Sequence, residues 1–167
     1  MKTLFIIRHA KSSWDASNVD DFDRPLNERG KRDAPRMGKR FKEKDIHPDL
    51  MVSSPAKRAL STAKKIAEVL KYKKDDIKSD RRLYHADEET ILTVIRELKE
   101  NRSVVMLFGH NPGLTEFVNS LMDGSQDIDN IPTCGVVAFQ FSIEHWTEID
   151  WGKGKMLFFD YPKSKED

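Results

Sequence analysis

Two histidines and two arginines carry the chemistry that this sequence offers. Arg8-His9 follows the short apolar run Leu4-Phe5-Ile6-Ile7, Arg58 follows Ser53-Ser54-Pro55, and Gly109-His110 closes the apolar run from Val104 to Phe108. A neutral imidazole can attack phosphorus, and guanidinium groups stabilise charge on the oxygens of a transferring phosphoryl group. Each of these residues stands at the end of an expected strand or in the first turn of the helix that follows. If the three strands are neighbours, the four side chains meet at one edge of a sheet. The free backbone amides at the start of the Arg58 helix favour an anion at the same place. A lone histidine is more often a satisfied core residue, and a lone helical arginine a surface charge. Their joint placement at strand ends argues for a site.

The elements that must position these residues are legible as periodic apolar segments. Leu4 to Ile7 reads as a buried strand delivered into a charged loop. Residues 10 to 27 show no period and form a loop leading into Arg24-Pro25-Leu26-Asn27-Glu28-Arg29-Gly30. Ala34, Met37, Gly38 and Phe41 share one helical face, and Pro35 places the start of that helix near itself, because proline is not accommodated deep in a helix. Leu50 to Ser53 is a second strand. Ser54-Pro55 then reads as an N-cap and first-turn proline. Ala56, Ala59, Leu60, Ala63, Ala67 and Leu70 trace the helix that follows, with the lysines between residues 64 and 78 on its solvated face. Asp87-Glu88-Glu89 opens another helix, with Asp87 as its N-cap and Ile91, Ile95 and Leu98 inward. After the Val104 strand, Leu114, Phe117, Val118 and Leu121 form the last helical face. Gly135 to Phe141 and Met156 to Phe159 are late strands. This alternation predicts an α/β sandwich with a mainly parallel sheet, in which function gathers at the carboxyl ends of strands.

Bulk properties narrow the partners. At 167 residues the chain is expected to be one domain, residues 1–167. Lys and Arg total 29 against 28 Asp and Glu, so no long-range field draws in nucleic acid, and any basic site must be local. The lone Cys134 cannot form an internal disulfide and reads as a small buried hydrophobe. No apolar run approaches a membrane span, and Leu4–Ile7 is too short for a signal-peptide core, so a cytoplasmic protein with no membrane partner is expected. His9, His85 and His110 lack zinc-ligand spacing; neither a metal nor a cofactor is expected.

Three stretches carry a family resemblance. Arg8-His9-Ala10-Lys11-Ser12, Ser53-Ser54-Pro55-Ala56-Lys57-Arg58-Ala59 with Thr62-Ala63, and Gly109-His110-Asn111-Pro112 together resemble the histidine phosphatase superfamily, which also contains the cofactor-dependent phosphoglycerate mutases. Ala10 stands where a glycine is commonest in that family. The stretches from Arg8 to Trp14 and from Arg24 to Gly30 look most like its small phosphohistidine phosphatase branch. The resemblance runs from Leu4 to about Leu121. It implies a three-layer α/β/α sandwich with a mixed, mostly parallel central sheet, and no metal. By motif position, His9 would be the nucleophile, and Arg8, Arg58 and His110 would hold the phosphoryl oxygens, with Lys11, Ser12 and Asn111 as further phosphate contacts.

Larger members of the family carry a carboxylate that protonates the leaving group. Asp87 and Glu88, with Glu89, lie in the corresponding part of this chain, whereas the small branch often lacks the acid. The resemblance therefore implies hydrolysis of phosphohistidine on a signalling or phosphotransfer protein, since imidazole is an easily protonated leaving group. The alternatives are a phosphomonoesterase for a small phosphate ester, with Asp87 or Glu88 as acid, and a non-catalytic phosphate-binding module on the same fold.

Overall fold

Alternation along the strands decides which core each residue enters. The computed structural model describes residues 1–14 and 19–164. Its strands are β1 (Lys2–Arg8), β2 (Leu50–Ser53), β3 (Lys78–Ser79), β4 (Val104–Gly109), β5 (Val136–Phe141) and β6 (Lys155–Asp160), in the spatial order β3-β2-β4-β1-β5-β6. The pairs β1/β4, β2/β4 and β2/β3 are parallel, and β5 runs antiparallel to both β1 and β6. The sheet is thus mixed and mostly parallel, as expected.

Leu4, Ile6, Val105, Leu107, Val137 and Phe139 enter one core with Ile91 and Ile95 of α3 (Glu88–Arg96) and Phe117 and Val118 of α4 (Gly113–Leu121). Phe5, Ile7, Met106, Phe108 and Ala138 enter the other with Met37 and Phe41 of α1 (Glu28–Glu43) and Ala63 and Ile66 of α2 (Lys57–Leu70). Each large side chain buried this way stabilises the fold by about 1.5–3 kcal/mol. Two helices on each face give the three-layer α/β/α sandwich. Among the described residues no helix is long and apolar enough to cross a membrane.

Local details differ from the sequence reading, each for a physical reason. α1 begins at Glu28, not near Pro35: the Asn27 side chain accepts the Gly30 N–H at 2.9 Å, and Pro35 lies inside the helix. The missing proline N–H would have served the carbonyl of Lys31, an exposed residue whose carbonyl water can reach. Ser54 does not cap α2. Ala56 holds that position, and the Ser54 hydroxyl instead accepts the Ala56 N–H at 3.2 Å. The lysine-rich stretch is only partly helical. α2 ends at Leu70 with Lys71 left-handed, and a 3-10 turn at Lys74–Asp76 leads into β3. That two-residue strand is too short to leave a periodic signal. Of the loop expected over residues 10 to 27, residues 15–18 lie outside the described residues. Elsewhere in it, Ser12 bridges to Leu26 and Asp21–Asp23 form a 3-10 turn.

Candidate active site

The register of the sheet brings three strand ends level. Arg8 of β1 pairs with Gly109 of β4, and Ser53 of β2 pairs with Phe108. The loops beyond are pinned at once: His9 N–H donates to the Gly109 carbonyl at 3.1 Å, and Ser54 N–H to that of Phe108 at 3.0 Å. Thr62 ties the His9 loop to α2, accepting the Ala10 N–H at 2.9 Å and donating to the Arg58 carbonyl at 2.8 Å. The four residues singled out by sequence, Arg8, His9, Arg58 and His110, line one cleft of about 200 Å³, together with Arg24 and His85.

Hydrogen bonding assigns the His9 tautomer. Its Nδ1 lies 2.7 Å from the Ala10 carbonyl oxygen, which can only accept. Nδ1 therefore carries the hydrogen, and Nε2 holds the lone pair. Burial, foremost, lowers the His9 pKa to about 4; the Ala10 bond opposes the shift, and Arg58, Arg8 and Arg24 add to it. The imidazole is neutral at pH 7, which is the nucleophilic form. His110 places Nε2 2.8 Å from the Ser54 hydroxyl. That oxygen accepts the Ala56 N–H and keeps its own proton to give, so it can donate to Nε2 when the His110 hydrogen is on Nδ1. Burial, followed by the charges of His9 and Arg58, lowers the His110 pKa to about 3.

The arginines are held partly by the protein and partly by nothing in it. Arg8 Nη1 donates to the Ile131 carbonyl at 2.9 Å, and burial lowers the Arg8 pKa from its ordinary value. Arg58 donates to the Asp21 carbonyl at 2.6 Å and to its Oδ2 at 3.1 Å, and Arg24 Nε donates to Asp21 Oδ1 at 3.1 Å. Burial opposes ionisation of Asp21. The Tyr84 hydroxyl, 2.6 Å away, and the Arg58 charge prevail and hold its pKa at about 2. Four buried nitrogens of the cleft have no partner among the described residues: Arg8 Nε, Arg24 Nη1, Arg58 Nε and His110 Nδ1. Buried N–H groups are nearly always paired. Such a cluster, beside a neutral imidazole, suits a polyoxygen anion such as a phosphoryl group.

The other sequence candidates are placed unevenly. Lys11 and Ser12 line the cleft, Ser12 buried and Lys11 half-buried. Asn111 also lines it, but its amide donates to Asn130 Oδ1 and the Ile131 carbonyl, both at 3.0 Å, and its oxygen accepts from Thr115. Its polar atoms are committed to holding the loop. Asp87 caps α3 through the Thr90 N–H at 2.9 Å, and Glu88 accepts from the Ser120 hydroxyl; neither lines the cleft. Cys134 is fully buried, and burial pushes its thiol pKa up, away from the reactive thiolate.

Sequence reasoning missed Asp21, Arg24, Tyr84, His85 and Trp14 as site residues. Arg24 stands in the quoted stretch from Arg24 to Gly30, and that was the available signal for it. Trp14 likewise closes the quoted stretch from Arg8 to Trp14, whereas Asp21 sits in an aperiodic loop that gives no signal. The Arg24 guanidinium lies 3.5 Å from the centroid of the exposed Trp14 ring, an arrangement that joins a cationic side chain of the cleft to its rim.

The family model of the histidine phosphatase superfamily (branch 1) matches residues 4–103. A solved structure from Agrobacterium tumefaciens, assigned as the phosphohistidine phosphatase SixA, superposes with a TM-score of 0.81 at 28% identity, covering 96% of this chain and 98% of that one. A protein histidine phosphatase SixA complexed with tungstate shares the fold, with a TM-score of 0.82 at 20% identity and coverage of 97% and 98%. An uncharacterized chloroplastic protein of Arabidopsis thaliana is 28% identical over 155 residues, 88% of this chain and 70% of that one. The 2,3-bisphosphoglycerate-dependent phosphoglycerate mutase of Bifidobacterium longum is 39% identical over 62 residues, 36% of this chain but only 25% of the mutase.

Proposed function

The chain belongs to the histidine phosphatase superfamily, and from that premise we propose that it hydrolyses phosphohistidine on another protein through a covalent phosphohistidine at His9. The observation that carries the reading is the set of four unpartnered buried donors around a neutral imidazole whose Nε2 is free. In the first step His9 Nε2 bonds to phosphorus and the bond from phosphorus to the substrate imidazole breaks. The substrate ring, protonated by solvent on its second nitrogen, leaves as neutral imidazole, with the electron pair of the broken bond staying on the departing nitrogen. Water then attacks phosphorus, the bond to His9 breaks, and orthophosphate leaves. Arg8, Arg24 and Arg58 neutralise the equatorial oxygens, and His110 Nδ1–H donates to the charge that develops on them. With that much positive charge in place, the reading needs no metal ion.

Two features favour phosphohistidine over esters. A full-length likeness at a TM-score of 0.81 and 28% identity is to a protein assigned as a phosphohistidine phosphatase, whereas the likeness to a phosphoserine phosphatase has a TM-score of 0.67 at 15% identity. Asp87 and Glu88, the carboxylates expected for an ester leaving group, are engaged outside the cleft. The reading takes residues 1–167 as one domain, acting on a signalling or phosphotransfer protein in the cytoplasm.

Rapid quenching during turnover of a labelled phosphohistidine peptide tests it. The label should sit on His9, labile to acid and stable to base, and His9→Ala should lose both label and turnover. Label on Cys134 or a serine would overturn the mechanism. Higher catalytic efficiency on small phosphate esters than on phosphohistidine would replace the substrate with the ester, and phosphate binding without turnover would leave a binding module.

A further inference from the structure

A third imidazole stands in the cleft without a part in the steps above. We propose that His85 is the proton-transfer residue of this site, donating to the leaving group when His9 is phosphorylated and accepting a proton from the attacking water afterwards. The proposal rests on the His9 mechanism.

His85 lines the same cleft as His9 and His110. Its φ is +58°, in the left-handed region that non-glycine residues seldom occupy. Such a backbone persists only where its surroundings hold it, and it clusters at working sites. The surroundings here are specific. The Tyr84 and His85 rings lie 4.0 Å apart between centroids, and the Tyr84 hydroxyl is bonded to Asp21. His85 Nε2 stands 3.6 Å from Asp21 Oδ2, beside that ionised carboxylate but too far for a full hydrogen bond. Nε2 thus faces a carboxylate without being committed to it as a hydrogen-bond partner. The rings of His9 and His85 lie 5.3 and 6.0 Å from that of His110, so both flank a third imidazole of the same cleft, whose buried Nδ1 has no partner among the described residues. The His85 side chain is 63% exposed, so it can exchange protons with water between turnovers.

The competing donors are otherwise engaged. Asp21 is bonded to Arg58, Arg24 and Tyr84 and stays ionised, which suits a partner of His85 rather than an acid. Asp87 and Glu88 are bonded to Thr90 and Ser120. An imidazole carries one nitrogen that can donate a proton and one that can accept it, which an acid and base of the same cycle require.

The proton balance is simple. With an ester, His9 Nε2 bonds to phosphorus, the P–O bond to the leaving group breaks, and that oxygen takes the proton from His85. Neutral His85 then takes a proton from water as its oxygen bonds to phosphorus, the bond to His9 breaks, and orthophosphate departs. Phosphohistidine needs this donor less, because the second nitrogen of its own ring can be protonated by solvent.

A leaving-group series tests the role. Asn tolerates the left-handed backbone, so His85→Asn keeps the loop. Against aryl phosphates ranging from p-nitrophenyl to phenyl phosphate, His85→Asn should lose less than tenfold in kcat/KM at the acidic end and about a hundredfold or more at the basic end, within the range of general acid catalysis. His85→Gly with added imidazole should recover part of the loss on phenyl phosphate. Equal losses across the series, or none, would overturn the proposal. Trapping of phospho-His9 in the same variants keeps the outcomes distinct: a missing intermediate in the wild-type enzyme counts against the His9 mechanism, and a retained intermediate with a flat series counts against His85 alone.

Discussion

Acidification from pH 7 to 4.5 should strip stability from this protein through two residues, His9 and His110. Both are buried, at 7% and 6% exposure, and their pKa values fall from the usual 6.5 to about 4 and about 3. A histidine with a depressed folded-state pKa stabilises the fold fully above its unfolded pKa. It loses that contribution as the pH drops from 6.5 toward the folded value, because the unfolded chain takes up a proton that the folded chain refuses. Each pH unit in that window costs about 1.4 kcal/mol per histidine, so each residue costs about 2.5 kcal/mol by pH 4.5 and the two together about 5 kcal/mol. That is a large part of the 5–15 kcal/mol typical of a domain. Urea unfolding of the wild type and of a His9→Asn/His110→Gln double variant, at half-unit steps across the window, isolates the effect. The wild type should lose about 5 kcal/mol more than the variant. Parallel pH profiles would refute the claim that both imidazoles are held neutral, and with it the account of His9 as a lone-pair nucleophile at neutral pH.

Three further outcomes are expected. Replacing Asp87 with Asn and Glu88 with Gln should change phosphohistidine turnover by less than tenfold, a barrier change below about 1.4 kcal/mol, measured by steady-state kinetics. A larger loss would make one of them the acid and favour the ester reading. Exhaustive chelation should leave the rate unchanged, while vanadate, which mimics five-coordinate phosphorus, should inhibit; activity lost on chelation and restored by a divalent ion would contradict a metal-free site. Gly30→Ala should destabilise the fold by about 2 kcal/mol or more in thermal unfolding, because its Cβ would stand 2.1 Å from the Lys11 carbonyl oxygen, where the start of α1 abuts the His9 loop.

Which residues would meet was readable from the sequence, because the signals involved are local. Apolar runs such as Leu4–Ile7 and Val104–Phe108 mark strands by composition, and the Arg8-His9 and Gly109-His110 that follow them mark their carboxyl ends. The alternation of elements pointed to an α/β sheet, and the resemblance to the layered fold. Proline chemistry misled at Pro35, where burial of Met37 and Phe41 outweighs one lost hydrogen bond on the exposed side. Cap preference misled at Ser54, whose hydroxyl is turned to His110, 56 residues away.

What only the tertiary structure decided is the electrostatic state of the site. The neutral form of His9, the pairing of His110 Nε2 with Ser54, and the grip of Asp21 on Arg58 and Arg24 all follow from burial and from partners brought together across the sheet. Asp21, Arg24 and His85 lie in segments without period, where one-dimensional patterning carries no information. Periodicity reports which face of an element is apolar. Protonation and hydrogen-bond partnership depend on solvent exclusion and on distances of 3 to 4 Å between residues far apart in the chain, which come into being only when the elements pack.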